Sequence, residues 1–148
     1  MAAATTHTAK SAGFTPSGGS LWSMTDLLEI SEDENGDVTQ LTTDNSQVVN
    51  GVWVSSIKGD ITLVVSDLSQ LTNAGAVTGA AGALTVKYAK RQAGKGDVSG
   101  QYITVTYATV TLVGIRRRAG STGNSQMEVM FSAYGTDGST LKTASVGA

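Results

Sequence analysis

The residues able to do chemistry in this chain are few, and their spacing suits binding better than catalysis. The densest cluster is Glu32-Asp33-Glu34-Asn35-Gly36-Asp37, which invites a calcium-loop reading. Setting Gly36 at the sixth position of such a loop puts Ser31 at the first and Thr42 at the twelfth, where carboxylates are required. The cluster therefore reads as an acidic turn. His7 is the only histidine and there is no cysteine, which removes most routes to His-based catalysis and multi-histidine metal sites, and excludes thiolate metal sites and disulfides. Gly94-Lys95 lacks the first glycine and the Ser/Thr of a phosphate loop, and neither a G-x-S-x-G nor an H-E-x-x-H pattern occurs. Asp60, Asp67 and Glu128 supply carboxylates for a glycosidase pair, but nothing in the sequence selects two of them. No enzyme activity, cofactor or metal is expected.

Arg116-Arg117-Arg118 is the second concentrated feature. Three arginines at the end of an extended segment can simply mark its exit from the core and blunt an edge against aggregation. They can also clamp phosphate or carboxylates, although successive residues of a strand alternate sides, so at most two act together. The charge distribution bears on this choice. Residues 1–68 hold nine acids against two bases, and residues 69–148 hold eight bases against three acids, within a net charge of −2. Such polarity is either a set of solvated loop charges or complementary charge between neighbouring copies. On the second reading the subunit-interface residues are Glu32, Asp33, Glu34 and Asp37 on the acidic side, and Lys90, Arg91, Arg116, Arg117 and Arg118 on the basic side.

These residues must be positioned by strands. The run QYITVTYATVTLVGIRRR (101–118) is dense in β-branched and aromatic residues and has no proline. One face reads Ile103, Val105, Tyr107, Thr109, Thr111, Val113 and Ile115, the other Tyr102, Thr104, Thr106, Ala108, Val110, Leu112 and Gly114. Neither face is wholly polar, so both need cover. At about 3.3 Å per residue the run exceeds about 50 Å, so a bend near Ala108 or Gly114 is expected, letting one strand serve two sheets. MEVMFSAY (127–134) alternates cleanly, with Met127, Val129, Phe131 and Ala133 on the apolar side, as the return strand of a long hairpin.

Earlier in the chain, Asn35-Gly36 is a two-residue turn signal, which predicts a hairpin over 21–41 pairing Ile30 with Leu41 and Asp33 with Val38; a short helix over 21–28 is the other option. Residues 48–54 and 57–65 read as two strands with a bend at Lys58-Gly59-Asp60 and Trp53 in the core. Ser66 reads as the N-cap of a short helix with Leu68 and Leu71 inward. Residues 73–82 and 89–100 read as loops around a strand at 84–88, residues 119–125 as a polar connector, and 136–139 as a turn. The expected fold class is mainly β: an antiparallel β-sandwich or partly closed barrel with one short helix and long loops. It divides into an N-terminal arm (1–20) that orders only by packing on something, a single domain (21–140) and a C-terminal tail (141–148). No apolar run is long enough to span a membrane, and no signal peptide is expected.

GDITLVVSDLSQL, GALTVKY, YITVTYATVTLVGIRRR and MEVMFSAYGTDGST follow one another as strand-to-helix, strand and terminal hairpin. In that order they resemble the tail tube (major tail) proteins of long-tailed bacteriophages and the related tube proteins of injection machines, over residues 51–140. The resemblance implies a virion structural protein that builds stacked hexameric rings around a channel. Its partners would be copies of itself and other tail proteins, with DNA passing through the lumen without specific binding and no membrane. It further implies assembly in the host bacterial cytoplasm and a final place in the virion tail. A capsid decoration or head–tail joining protein shares this texture, and a carbohydrate-binding β-sandwich is a third reading; the eight aromatics sit mostly in strand-like cores, leaving little for a sugar platform.

Overall fold

The computed structural model describes residues 5–42, 49–73, 76–92, 96–98, 100–134 and 141–147. Among these residues nine strands, every pairing antiparallel, form one sheet that does not close into a barrel. They are β1 (Thr5–Pro16), β2 (Trp22–Met24), β3 (Leu27–Thr42), β4 (Val49–Val65), β5 (Ala81–Gln92), β6 (Gly96–Asp97), β7 (Tyr102–Arg118), β8 (Gln126–Tyr134) and β9 (Thr143–Gly147). The main order is β2-β1-β5-β7-β8-β4-β3, with β6 on β5 and β9 on β7. The sheet folds over on itself, bringing β1 near β3 without hydrogen-bonding to it. Phe14 of β1 and Phe131 of β8 meet across the interior with ring centroids 5.0 Å apart and planes tilted 53°, a geometry favoured by the ring quadrupoles. Around them lie Trp22, Met24, Ile61, Leu63, Leu84 and Met127, all sealed from solvent.

β7 joins the two layers. It pairs with β5 over residues 103–111, with β9 over 102–106 and with β8 over 110–118. Two extra residues make this possible. Opposite Leu84 and Gly82 of β5, β7 presents Tyr107 and Val110, three apart, so one residue at Ala108–Thr109 is unmatched. Opposite Phe131 and Met130, neighbours on β8, it presents Leu112 and Gly114, which leaves Val113 unmatched. Each bulge exchanges the inward and outward faces of the strand. Accordingly Val105 and Tyr107 are buried, then Val110 and Leu112, and then Ile115 returns to the core. In place of the bend expected near Ala108 or Gly114 to serve two sheets, β7 carries register shifts at Ala108–Thr109 and Val113 within one sheet, and the unbroken odd-numbered face is absent: Val113 is 52% exposed. On β8 the expected alternation is met in full, with Met127, Val129, Phe131 and Ala133 buried.

Several local expectations are corrected. Asn35-Gly36 is not a turn: β3 runs through it, paired with β4 from Leu27 to Thr42, and Gly36 is not among the glycines at positive φ. Pairing along the whole of β4 outweighs the local turn preference. The shift at Leu28 turns it outward and Ile30 inward, so they do not share a face. Lys58-Gly59-Asp60 is no bend, since β4 is one strand from Val49 to Val65. Among the described residues the helix is a 3-10 segment, Leu68–Thr72, and its cap is Asp67, whose carboxylate accepts the Ser69 N–H at 2.8 Å; a hydrogen bond from the Ser69 side chain first, and then this backbone bond, hold the Asp67 carboxyl below its usual range. β5 extends at both ends into segments read as loops. Residues read as an arm form β1, hydrogen-bonded to β5 over its whole length, and residues read as a tail form β9. The side chains of Trp53 and Leu71, and the turn at 136–139, lie outside the described residues.

Neighbouring strands approach most tightly where β1 ends against β5. A Cβ built on Gly82 would lie 2.0 Å from the Thr15 carbonyl oxygen and 2.7 Å from the Pro16 Cα, both backbone atoms. Only a residue without a side chain fits there. Gly82→Ala is expected to destabilise the protein by about 1–3 kcal/mol or more. Gly123→Ala, at a site with nothing within 4 Å, is expected to stay within about 0.5 kcal/mol. Urea unfolding of both variants checks the contrast.

Candidate assembly interface

Of the acidic residues on β3, Glu32 faces inward. One of its carboxylate oxygens accepts the Tyr88 O–H from β5, and the other accepts the Tyr107 O–H from β7. Three strands from both layers are tied at one carboxylate. A buried phenol needs a hydrogen-bond acceptor, and Tyr107 is only 2% exposed. Burial first, and then the hydrogen bond to Glu32, push both phenols well above their ordinary value. The arrangement is a closed set of donors and acceptors that fixes one layer against the other.

The remaining intrachain ion pairs are at the surface. Asp97 of β6 receives Lys10 at 2.8 Å and Arg91 at 3.2 Å, and Arg91 also donates to the Thr8 hydroxyl at 2.9 Å. The Asp97 hydrogen bond holds the Lys10 ammonium above its usual range, and Lys10 in turn holds the Asp97 carboxyl low. Lys90 donates to the Gln101 side-chain oxygen at 2.7 Å, and Lys142 stands 3.6 Å from Glu34. Exposed pairs of this kind contribute little to stability; here they pin β6 and the C-terminal segment to the sheet.

Other charges face solvent unpartnered. Arg116, Arg117 and Arg118 stand exposed at the end of β7, past Thr111, the last residue paired to β5, and form no ion pair among the described residues. On the outer surface of β3 and β4, Asp33 stands directly opposite Asp60, both exposed, with Glu29 on the same face of β3. Like charges opposite one another across a strand pair are unfavourable. Among the described residues no ion pair relieves these three acids. Three exposed apolar side chains stand where strands carry an extra residue, Leu28 at 54%, Ile57 at 44% and Val113 at 52% exposed, at shifts of β3, β4 and β7; Leu21, Val77 and Val146 are exposed away from any shift. In addition, β8 covers β4 only over residues 58–65, so among the described residues 37–42 and 49–55 continue as a two-stranded ribbon without a third strand. An isolated ribbon is marginal in water.

The residues singled out from sequence thus separate by location. Glu32 is engaged inside, Glu34, Lys90 and Arg91 have partners within the chain, Asp37 lies at the root of the ribbon, and Asp33 with Arg116, Arg117 and Arg118 is turned to solvent. The acidic and basic sets do not meet within one chain. The Glu32 clasp was missed; its trace in the sequence is two tyrosines on otherwise apolar strand faces, each requiring a polar partner. Among the described residues no group of three His, Asp or Glu side chains could hold a metal ion, and no helix is long and apolar enough to cross a membrane.

No protein-family model matches the chain, and no curated protein is similar to it. Among solved structures it is similar to an Hcp protein, with a TM-score of 0.52 at 11% identity, over 92% of this chain and 97% of that one. Hcp1 from Salmonella typhimurium aligns over 94% of this chain and 95% of its own, at 12% identity and a TM-score of 0.40. The first match establishes a shared fold over nearly the full length of both chains.

The clasp has a measurable signature. An unfolded chain releases both phenolic protons near pH 10, the ordinary value, while the folded protein retains them. Their contribution to stability is therefore complete below that pH and is lost as pH rises beyond it. The urea midpoint is expected to fall as pH climbs past 10, and Tyr88→Phe/Tyr107→Phe is expected to flatten that decline.

Proposed function

We propose that this chain is a tube-forming subunit of a contractile-injection or phage-tail machine, self-assembling into stacked rings around a channel. The observation that carries this reading is the fold shared with an Hcp protein across nearly the whole of both chains, which supports a tube protein of the injection kind. The surface supports it independently. A ribbon without a third strand, solvent-facing apolar side chains at three strand irregularities and two uncompensated charge clusters are features that a neighbouring copy can complete.

Rings of six, a bore that conducts DNA and a place in a virion tail are the finer parts of the proposal. The surface suited to the bore is the outer side of β1, β5, β7 and β9. There Ser11, Thr85, Thr104, Thr106 and Thr143 form a hydroxyl-bearing face, and Lys87 stands over the Tyr102 ring at 4.8 Å from its centroid. Affinity for nucleic acid comes chiefly from neutralising phosphates with Lys and Arg, so a wall of hydroxyls lets DNA pass.

Negative-stain imaging of the purified protein across a concentration series tests the proposal. Rings with a central hole, stacking into tubes as concentration rises, are the expected result. A monodisperse monomer at millimolar concentration would overturn it.

A further inference from the structure

The registers lay out the outer face of the β7-β8-β4-β3 layer row by row. One row reads Arg116, Glu128, Val64 and Glu29, the next Gly114, Met130, Thr62 and Ser31, and the third Thr111, Ser132, Asp60 and Asp33. Tyr134, Lys58 and Asn35 stand in a fourth. Cationic and hydroxyl groups gather on β7 and β8 and carboxylates on β4 and β3, with Glu128 and Lys58 the exceptions. The chemistry of this face therefore changes across the strands. Asp33 directly opposite Asp60 is unfavourable in the isolated chain. Arg116 and its neighbour Glu128 form no ion pair among the described residues.

We propose that this face joins a second copy of the chain, stacked sheet on sheet, about a two-fold axis parallel to the strands between β8 and β4. Such an axis keeps each row at its own level and lays β7 of either copy over β3 of the other, and β8 over β4. Arg116 then meets Glu29 of the second copy. Thr111 and Ser132 bring hydroxyls to its Asp33 and Asp60, and Tyr134 meets its Lys58. No two like charges face each other, whereas an axis along the second row would set Glu29 against Asp33. A second copy is the occupant because the face carries its own complement. Asp33, Asp60 and Glu29 repel a nucleic acid, the arginines repel a basic partner, and among the described residues no three acidic side chains could hold a metal ion. Val113 on β7 and Leu28 on β3, 52% and 54% exposed, border the face and gain cover. Four strands about 4.8 Å apart and four rows about 6.7 Å apart give a footprint of roughly 500 Å² per copy, at the transient end of specific contacts. The dimer is weak and salt-sensitive. It goes beyond the tube reading and does not rest on it, since the hydroxyl-bearing face of β1, β5 and β9 stays free.

Sedimentation velocity at low ionic strength, at concentrations below those that give rings, tests this. The expected result is a monomer–dimer equilibrium that stops at two and moves toward monomer as salt is added. Arg116→Glu and Glu29→Arg, each with unchanged circular dichroism, are each expected to weaken the dimer about tenfold or more. Arg116→Glu/Glu29→Arg in one chain, and an equimolar mixture of the two single variants, are expected to regain it, because a two-fold contact presents both positions in each copy. The natural chain has no cysteine, so a nitroxide on Asn35→Cys reports only its counterpart, expected at roughly 20 Å across the stacked sheets. A wild type with no dimer at low salt, single variants that dimerise as well as it does, a double variant that stays monomeric, or labels that do not sense each other would each overturn the assignment. None of these results bears on whether rings form, and the absence of rings leaves the dimer standing.

Discussion

A strand that pairs with three partners in two layers must change which of its faces is inward, and a regular strand cannot do that. β7 meets the constraint with one unmatched residue at Ala108–Thr109 and another at Val113. The first lets the strand leave the β5 layer with Val110 and Leu112 inward, and the second returns Ile115 to the core beside Val129. The other long-range features follow from that doubled inversion. β8 is delivered against β4 and Phe131 reaches Phe14, while Tyr107, ahead of both extra residues, points to Glu32 across the interior. A strand without the first extra residue would turn Val110 and Leu112 to solvent and put Thr109 and Thr111 in the core, forfeiting about 1.5–3 kcal/mol for each displaced side chain.

The same devices explain the surface. An extra residue in one strand has no partner, so its side chain is displaced outward. Leu28, Ile57 and Val113 occupy such sites, and all three are large and apolar. Together with the Asp33–Asp60 opposition and the arginine end of β7, they leave a folded subunit whose interior is satisfied and whose exterior is not. Burial on the inside is nearly free of unpaired polar groups, the Asp26 carboxylate oxygen being the orphan among the described residues.

How much of this is legible in the sequence varies by element. The alternation of 127–134 states which side of β8 is buried, because β8 is regular and one face is wholly apolar. The density of β-branched residues in 101–118 places β7, and its length alone demands bends; the register of the bends is not written locally, because it depends on which residues of β5 and β8 lie opposite. Asn35-Gly36 misleads for the same reason. Its turn preference is a local quantity, and the pairing of β3 with β4 through it is a sum over many residues. β1 is hard to read since its small residues resemble a linker until β5 lies beside them; Ala12 and Phe14 carry its inward face. The charge polarity of the two halves is plain in the sequence, whereas the division of those charges into engaged and solvent-facing sets emerges only from the fold.

The contact between Phe14 and Phe131 also bears on the order of events in a cell. β1 finds β5, and β4 finds β8, only after long intervening stretches have been synthesised, and such non-local pairings form slowly. Until residue 131 has cleared the ribosome, the core cannot close, and the acidic strands wait with their apolar faces exposed. The arginine end of β7 emerges shortly before that moment. Late synthesis of the cationic segment therefore coincides with late closure of the interior.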